Sequence, residues 1–396
     1  MILTLAERSR AIAPSATLAM ASEARRLKGE GVAVLDFALG EPDFATPLNI
    51  QDAAIRAMKA GHTHYTPPAG TPELKSAIAR HYSEHHGLPT KPDQVVVSNG
   101  AKQSLHNALM ALCGPGDEVV IPAPYWVSYA DLVKLTGATP IVVDCGESDG
   151  FKLSPEQYLR HATVRTKLLM LNSPSNPTGV VYSRAELEAL ADAVLTTNAG
   201  VLSDEIYEQL CYGDATPTCF ATLRPGLAER TITVSGVSKT YAMTGWRIGW
   251  SIAPSGVSKF MGDIQSQETS NPCSISQWAA LEAITGPQDS VKTMHAEFVK
   301  RREYVLGRIA NLPGVTCVPP GGAFYAFMNV SAHFGRMLGG AMVTDSTSFC
   351  MTALAKAHVA LVMGSAFGAE GYARMSFATD LETLRKGFDA MEGFLA

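Results

Sequence analysis

From about residue 95 the chain repeats one pattern: a short uninterrupted apolar run, then a segment with helical spacing. The runs fall at 95–97, 118–121, 140–143, 167–171, 200–202 and 231–234. A strand with one wet face alternates apolar and polar residues. One that is apolar throughout is covered on both faces, and the helical segments between the runs supply that cover. The fold class this predicts is α/β, with a mostly parallel sheet. Helices are expected at 102–113, 126–136 and 184–197, the last opened by Ser183 as N-cap with Glu186 three residues later.

After about residue 290 the pattern changes to a long charged helix at 291–309, a hydrophobic strand at 322–327 and mixed elements beyond. This predicts two domains, a large one spanning 45–290 and a small one made of 1–44 and 291–396. The first forty or so residues join the small domain because they precede the sheet and carry one strand-like run, 33–39.

A chain of 396 residues with 46% hydrophobic and 17% charged residues can bury a large core, which sets disorder aside. Its 32 basic and 37 acidic side chains give a formal charge of −5, and no dense Lys/Arg block marks a nucleic-acid surface. Seven scattered cysteines form no Cys-x-x-Cys pair and have no nearby histidine, so reduced thiols, a cytoplasmic location and no metal site are expected. No apolar stretch reaches the ~18 residues of a membrane helix, and the first ten residues lack the long apolar core of a secretion signal. Small-molecule chemistry is the expectation that remains.

The chemistry concentrates where the strands end. Lys239 lies in Ser235-Gly236-Val237-Ser238-Lys239-Thr240, directly after the run at 231–234, at the sheet edge where open α/β folds bind ligands. A lone lysine is usually solvated, so its neighbours decide its meaning. Arg247 follows eight residues on and offers a planar cation suited to phosphate. Asn99-Gly100-Ala101-Lys102-Gln103 follows a strand and opens a helix, so its backbone N–H groups can hold a phosphate. Trp126 can lie on the face of an aromatic ligand. Asn176, in the turn Asn172-Ser173-Pro174-Ser175-Asn176-Pro177-Thr178-Gly179, can donate to a phenolate oxygen, and Tyr207 can offer its hydroxyl to the same atom. Asp204, closing the run at 200–202, can keep a pyridine nitrogen protonated, which makes the ring an electron sink. Arg374, in Tyr372-Ala373-Arg374-Met375-Ser376-Phe377, can clamp a carboxylate with two parallel hydrogen bonds. Together these residues suit pyridoxal phosphate bound to Lys239 as a Schiff base.

These segments, with Pro14-Ser15-Ala16-Thr17, Gly40-Glu41-Pro42-Asp43-Phe44 and Tyr65-Thr66-Pro67-Pro68-Ala69-Gly70, run in order along nearly the whole chain. In that order the chain resembles the fold-type I, class I aminotransferases, and most closely their bacterial aspartate/prephenate branch. The resemblance implies a large domain with a mostly parallel seven-stranded sheet and a smaller α/β domain. It implies Lys239 as the cofactor-bearing lysine, Asp204 on the pyridine nitrogen, Asn176 and Tyr207 on the ring oxygen, and Trp126 stacked on the ring. Gly100, Ala101, Lys102, Ser235 and Arg247 would hold the cofactor's phosphate end, with Tyr65 contributed by the second subunit of a homodimer. Arg374, Asn176, Trp126 and the backbone of Gly40 would bind the substrate.

The implied reaction is a ping-pong transfer of an amino group between amino acids and keto acids, with Lys239 as covalent anchor and general acid/base, assisted by Asp204 and Tyr207. In the animal and enteric branch an arginine four residues before Ser-Asn-Pro binds the distal carboxylate. Here Ser270-Asn271-Pro272 is present and Ser266 stands in that place. In the branch resembled here, Lys102, with Ser15 and Thr17, takes over that task, so aspartate to 2-oxoglutarate is the expected transfer. Relatives often carry a basic residue before Pro-Ser-Ala-Thr, whereas this chain has Ala13. Prephenate as acceptor, and aromatic or neutral amino acids, are the alternatives. A carbon–sulfur lyase sharing the cofactor is a further rival, and a ligand-sensing regulator lacks room for a DNA-binding module before Pro14. A nucleotide site is disfavoured because Ser238 replaces the glycine that a phosphate-binding loop places before its lysine.

Overall fold

The computed structural model describes Arg10, Ile12 and residues 16–396, the side chains of 16–18 excepted. Its large sheet has seven strands: β1 (Val95–Ser98), β2 (Glu118–Ala123), β3 (Thr139–Asp144), β4 (Thr166–Asn172), β5 (Gly200–Asp204), β6 (Thr231–Gly236) and β7 (Gly249–Ile252). They lie in the order β1-β7-β6-β5-β4-β2-β3, and only β7 runs against its neighbours. The six apolar runs of the sequence are the six parallel strands. β7 escaped that reading because Gly249-Trp250-Ser251-Ile252 is not a continuous apolar run.

Alternate residues of these strands enter different cores. Val119, Ile121, Leu168 and Met170 face one side, and Val120, Leu169 and Leu171 face the other. Both faces are therefore dry, which is why the strands are apolar throughout, and each fully buried aliphatic side chain contributes roughly 1.5–3 kcal/mol. The helices that matter for the site are α1 (Pro72–His85), α2 (Ala101–Leu112), α3 (Tyr129–Leu135), α4 (Arg184–Leu195) and α5 (Asp289–Ile309). α4 begins as expected, with Ser183 accepting from the Glu186 N–H and the Glu186 side chain reaching back. α3 is shorter than expected: Trp126 stays in the turn before it, and its carbonyl accepts from the Tyr129 N–H.

A second sheet, ordered β10-β11-β9-β8, contains β8 (Thr316–Cys317), β9 (Tyr325–Asn329), β10 (Val362–Met363) and β11 (Tyr372–Ser376). β9 starts later than the sequence suggests because Ala323 adopts a left-handed backbone, φ 55°, which no strand continues through. The run at 33–39 yields only a two-residue strand, Leu35–Asp36, paired with Val359–Ala360. One core joins Met20, Ala24, Val34 and Phe37 to residues of α5, β9, β11 and the C-terminal helix, and it also takes in Ile206, Tyr207 and Leu210 beside the large sheet. No described helix is long and apolar enough to cross a membrane.

Candidate active site

The C-terminal ends of β4 and β5 open into a cavity of about 430 Å³. Because neighbouring parallel strands finish at one edge, Asn172 and Asp204 arrive side by side, and the segments leaving β1 and β6 bring Ala101, Lys102, Ser238 and Lys239. The walls also include Gly40, Trp126, Asn176, Tyr207, Arg247 and Arg374, so residues far apart in sequence meet at one place.

Three expected residues are not among the wall residues: Gly100, which lies against the Arg247 guanidinium, Ser235 and Tyr65. Ser235 does not line the cavity: its hydroxyl donates to Glu208 Oε1 at 3.4 Å, and Ser238 lines the wall instead. The reason is strand geometry, since Ser235 is still within β6 and points away, whereas Ser238 lies beyond its end. Tyr65 is 89% exposed and is not a wall residue of this chain's cavity. Ser15 lies outside the described residues, and for Thr17 only the helical backbone is described. Ser266, where the other branch keeps its arginine, borders a separate depression beside Pro67.

Lys239 Nζ donates to the Gly40 carbonyl at 2.6 Å. Loss of hydration lowers its pKa to about 8, with Glu41 and Asp204 opposing and Arg247 and Arg374 reinforcing the fall. Burial raises the Asp204 carboxyl to about 6, against hydrogen bonds from the Tyr129 hydroxyl, at 2.7 Å to Oδ2, and the Ile206 N–H, at 3.2 Å to Oδ1. Burial likewise holds the Tyr207 hydroxyl well above its ordinary value, so it remains a neutral donor, 2.9 Å from the Tyr325 hydroxyl.

Arg374 is only 2% exposed. Its Nη1 donates to Asn176 Oδ1 at 2.9 Å and its Nη2 to the Ala38 carbonyl at 2.7 Å. Its guanidinium lies 4.4 Å over the Tyr325 ring and 5.1 Å over Phe367. Nε is buried with no partner, and no carboxylate pairs with Arg374 among the described residues. A buried cation left this way is costly until an anion joins it. With Oδ1 of Asn176 engaged by Arg374, the amide's Nδ2 is the end left for a second acceptor.

The sequence reading missed Tyr129 and Tyr325. Tyr129 lies three residues after Trp126 and packs edge-on against it, rings 5.5 Å apart, a spacing that signals a shared face. Tyr325 faces Ser376 across the β9–β11 pair, one diagonal step from Arg374, and only that register brings phenol and guanidinium together.

The cavity's other end suits a phosphate. The first N–H groups of α2, at Ala101 and Lys102, have no intrahelical acceptor. The Arg247 guanidinium occupies the space that a side chain on Gly100 would fill, and Arg247 itself holds φ 55°. A cation held against the positive end of a helix is favourable only with an anion beside both. Lys102 Nζ stands 4.8 Å over the Trp126 ring, and its pKa is lowered by partial burial and by Arg247. A donor set for phosphate, a carboxyl, an aromatic face and a lysine of lowered pKa together fit pyridoxal phosphate.

The sequence matches the aminotransferase class I and II family over residues 32–391. It is 48% identical over 387 residues to an aspartate/prephenate aminotransferase of Cereibacter sphaeroides, covering 97% of each chain. Among solved structures, the aspartate aminotransferase of Rhizobium meliloti superposes with a TM-score of 0.96 at 41% identity, covering 99% of each chain. The Thermus thermophilus aspartate aminotransferase solved with maleate gives 0.94 at 39% identity over 100% of each. With fold, site chemistry and relatives in agreement, the chain belongs to the class I and II aminotransferases and is a pyridoxal-phosphate-dependent enzyme of fold-type I.

Proposed function

We propose that this enzyme transfers the amino group of L-aspartate to 2-oxoglutarate, with Lys239, Asp204 and Tyr207 as its catalytic residues. The observation that carries this reading is Arg374, a buried guanidinium with an unpartnered Nε and no carboxylate of its own. A substrate α-carboxylate supplies the missing charge. A second cation, Lys102 beside Trp126, then suits a second carboxylate, and the Thermus thermophilus relative was solved with a dicarboxylate, maleate.

When bound, pyridoxal phosphate supplies a ring that accepts the electrons left behind as the substrate Cα loses its proton. Gly100, Ala101, Lys102 and Arg247 would hold its phosphate, Trp126 would cover its ring, and Lys239 would hold it through the amine. Asp204 would keep a proton on the ring nitrogen, and a positive charge there would favour its carboxylate form. The Asn176 Nδ2 and the Tyr207 hydroxyl would donate to the ring oxygen. Arg374, with Asn176 and the Gly40 backbone, fixes the α-carboxylate and hence the direction of the Cα–H bond. The Lys239 amine, part unprotonated near neutral pH, takes the Cα proton and later returns one.

Prephenate also carries two carboxylates, and the name of the Cereibacter relative includes it, which favours it as a second acceptor. The exposure of Tyr65, 89%, and of Leu48 and Met58 nearby, 75% and 48%, supports a homodimer in which Tyr65 reaches the other subunit's cofactor. The core that joins Met20, Ala24, Val34 and Phe37 to α5, β9, β11 and the C-terminal helix supports a small domain at 1–44 and 291–396 beside a large one at 45–290, with Ile206, Tyr207 and Leu210 of the large one packed into the same core. Seven unpaired cysteines favour the cytoplasm.

The test is a stopped-flow titration of the cofactor-loaded protein, following the cofactor's absorbance. Aspartate is expected to discharge the absorbance at much lower concentration than phenylalanine, and Lys102→Ala to narrow the gap. Lys239→Ala should still bind cofactor yet turn over at least about a hundredfold more slowly. Phenylalanine acting at the lower concentration would overturn the acidic-substrate reading, and near-normal turnover by Lys239→Ala would remove its role.

A further inference from the structure

Outside the active cavity, α1 ends beside the loop that follows β5. There His81, His86 and Glu208 each bring a ligand atom to within 4.8 Å of the others. His86 caps the C-terminus of α1 and leaves the helical path, which lets its ring come back to His81, centroids 5.2 Å apart. While Tyr207 lines the active cavity, its neighbour Glu208 turns toward α1.

Glu208 is 6% exposed, and its Oε2 is buried with no hydrogen-bond partner. That atom stands 3.5 Å from His86 Nε2. The separation is long for a hydrogen bond, but it matches the edge between two ligands of one tetrahedral ion, roughly 3.3–3.5 Å when the bonds are about 2.0–2.2 Å. Among the described residues neither imidazole makes a hydrogen bond, whereas His106, His161, His295 and His333 each do. No Lys or Arg pairs with Glu208 or with neighbouring buried Glu205 among the described residues. Two imidazoles without hydrogen bonds and a carboxylate with one unpartnered oxygen present a ligand set suited to zinc.

We propose that His81, His86 and Glu208 bind a divalent zinc-type ion that clips the end of α1 to the loop carrying Tyr207. His81 and His86 are partly exposed, so a water can complete the tetrahedron. The sequence offered no such motif because Glu208 lies far along the chain from the two histidines.

The experiment strips the cofactor-loaded enzyme of metals with a chelator, then titrates Zn²⁺ in competition with a chromophoric chelator. One tight equivalent per chain is expected. His81→Ala and His86→Ala should each weaken binding by at least about tenfold while cofactor absorbance and transaminase activity stay unchanged. Zinc should also raise the thermal midpoint of the parent and not that of the variant carrying both substitutions. Glu208→Gln, which keeps the side-chain volume, should weaken binding likewise. No tight equivalent in the parent would overturn the proposal. So would binding undiminished in both histidine variants, the outcome if exposed Cys273 were the ligand.

Discussion

Lys239 and Asp204 face one cavity, and loss of hydration moves their pKa values toward each other, the amine down to about 8 and the carboxyl up to about 6. The direction follows from which form is charged: dehydration disfavours the ammonium of one and the carboxylate of the other. A lysine near 8 is a usable base at neutral pH, whereas an ordinary lysine at 10.5 is almost wholly protonated. In the cofactor-free protein, capture of a small aldehyde by Lys239 should therefore quicken about tenfold per pH unit below 8 and level off above it. A rate still climbing steeply at pH 9 to 10 would show an unperturbed amine. Tyr129 matters to the same balance, because its hydroxyl is the first of the contacts that draw the Asp204 pKa back down.

At the scale of elements, the N-terminus of α2 is built by two glycines. Gly100 holds φ 85°, and a side chain there would enter the Arg247 guanidinium. Gly249 of β7 lies against the α2 backbone, where a Cβ would meet the Gly100 carbonyl carbon at 2.6 Å and Ala101 Cα at 2.7 Å. Gly100→Ala should strain a backbone conformation, φ 85° and ψ 160°, open essentially only to glycine, by roughly 1–3 kcal/mol, and displace Arg247. Cofactor affinity should fall by at least about tenfold, about 1.4 kcal/mol, as read by equilibrium dialysis. Unchanged affinity would place the phosphate elsewhere. Loss of the α4 cap is a contrasting case. Ser183→Ala, remote from the cavity, should cost about 1 kcal/mol of stability in a denaturant melt and leave cofactor affinity alone.

The whole molecule adds what one chain does not contain. Tyr65 is almost fully exposed, and the proposed homodimer gives it a place in the other subunit's site. Subunit exchange tests this directly. Lys239→Ala chains and Tyr65→Ala chains should each be poorly active, and their mixture should regain activity, because a mixed dimer contains one site with both an intact Lys239 and an intact Tyr65. A mixture no more active than the sum of its parts would sink the shared site.

The sequence by itself determined the α/β class and six of the seven large-sheet strands, and it singled out most of the residues that the structure gathers around the candidate cavity. Those properties are local: an apolar run long enough for a strand dry on both faces, a glycine at a helix start, a lysine just past a strand end. Only the tertiary structure decided what depends on register and on chain crossings. It showed that β7 runs antiparallel between β1 and β6, that Ser235 points to Glu208 while Ser238 faces the cavity, and that Tyr325 lies under Arg374. It also brought Glu208 to His81 and His86. Strand pairing and helix packing bring together side chains that no local spacing in the chain relates, and that is why these contacts could not be read from the residues alone.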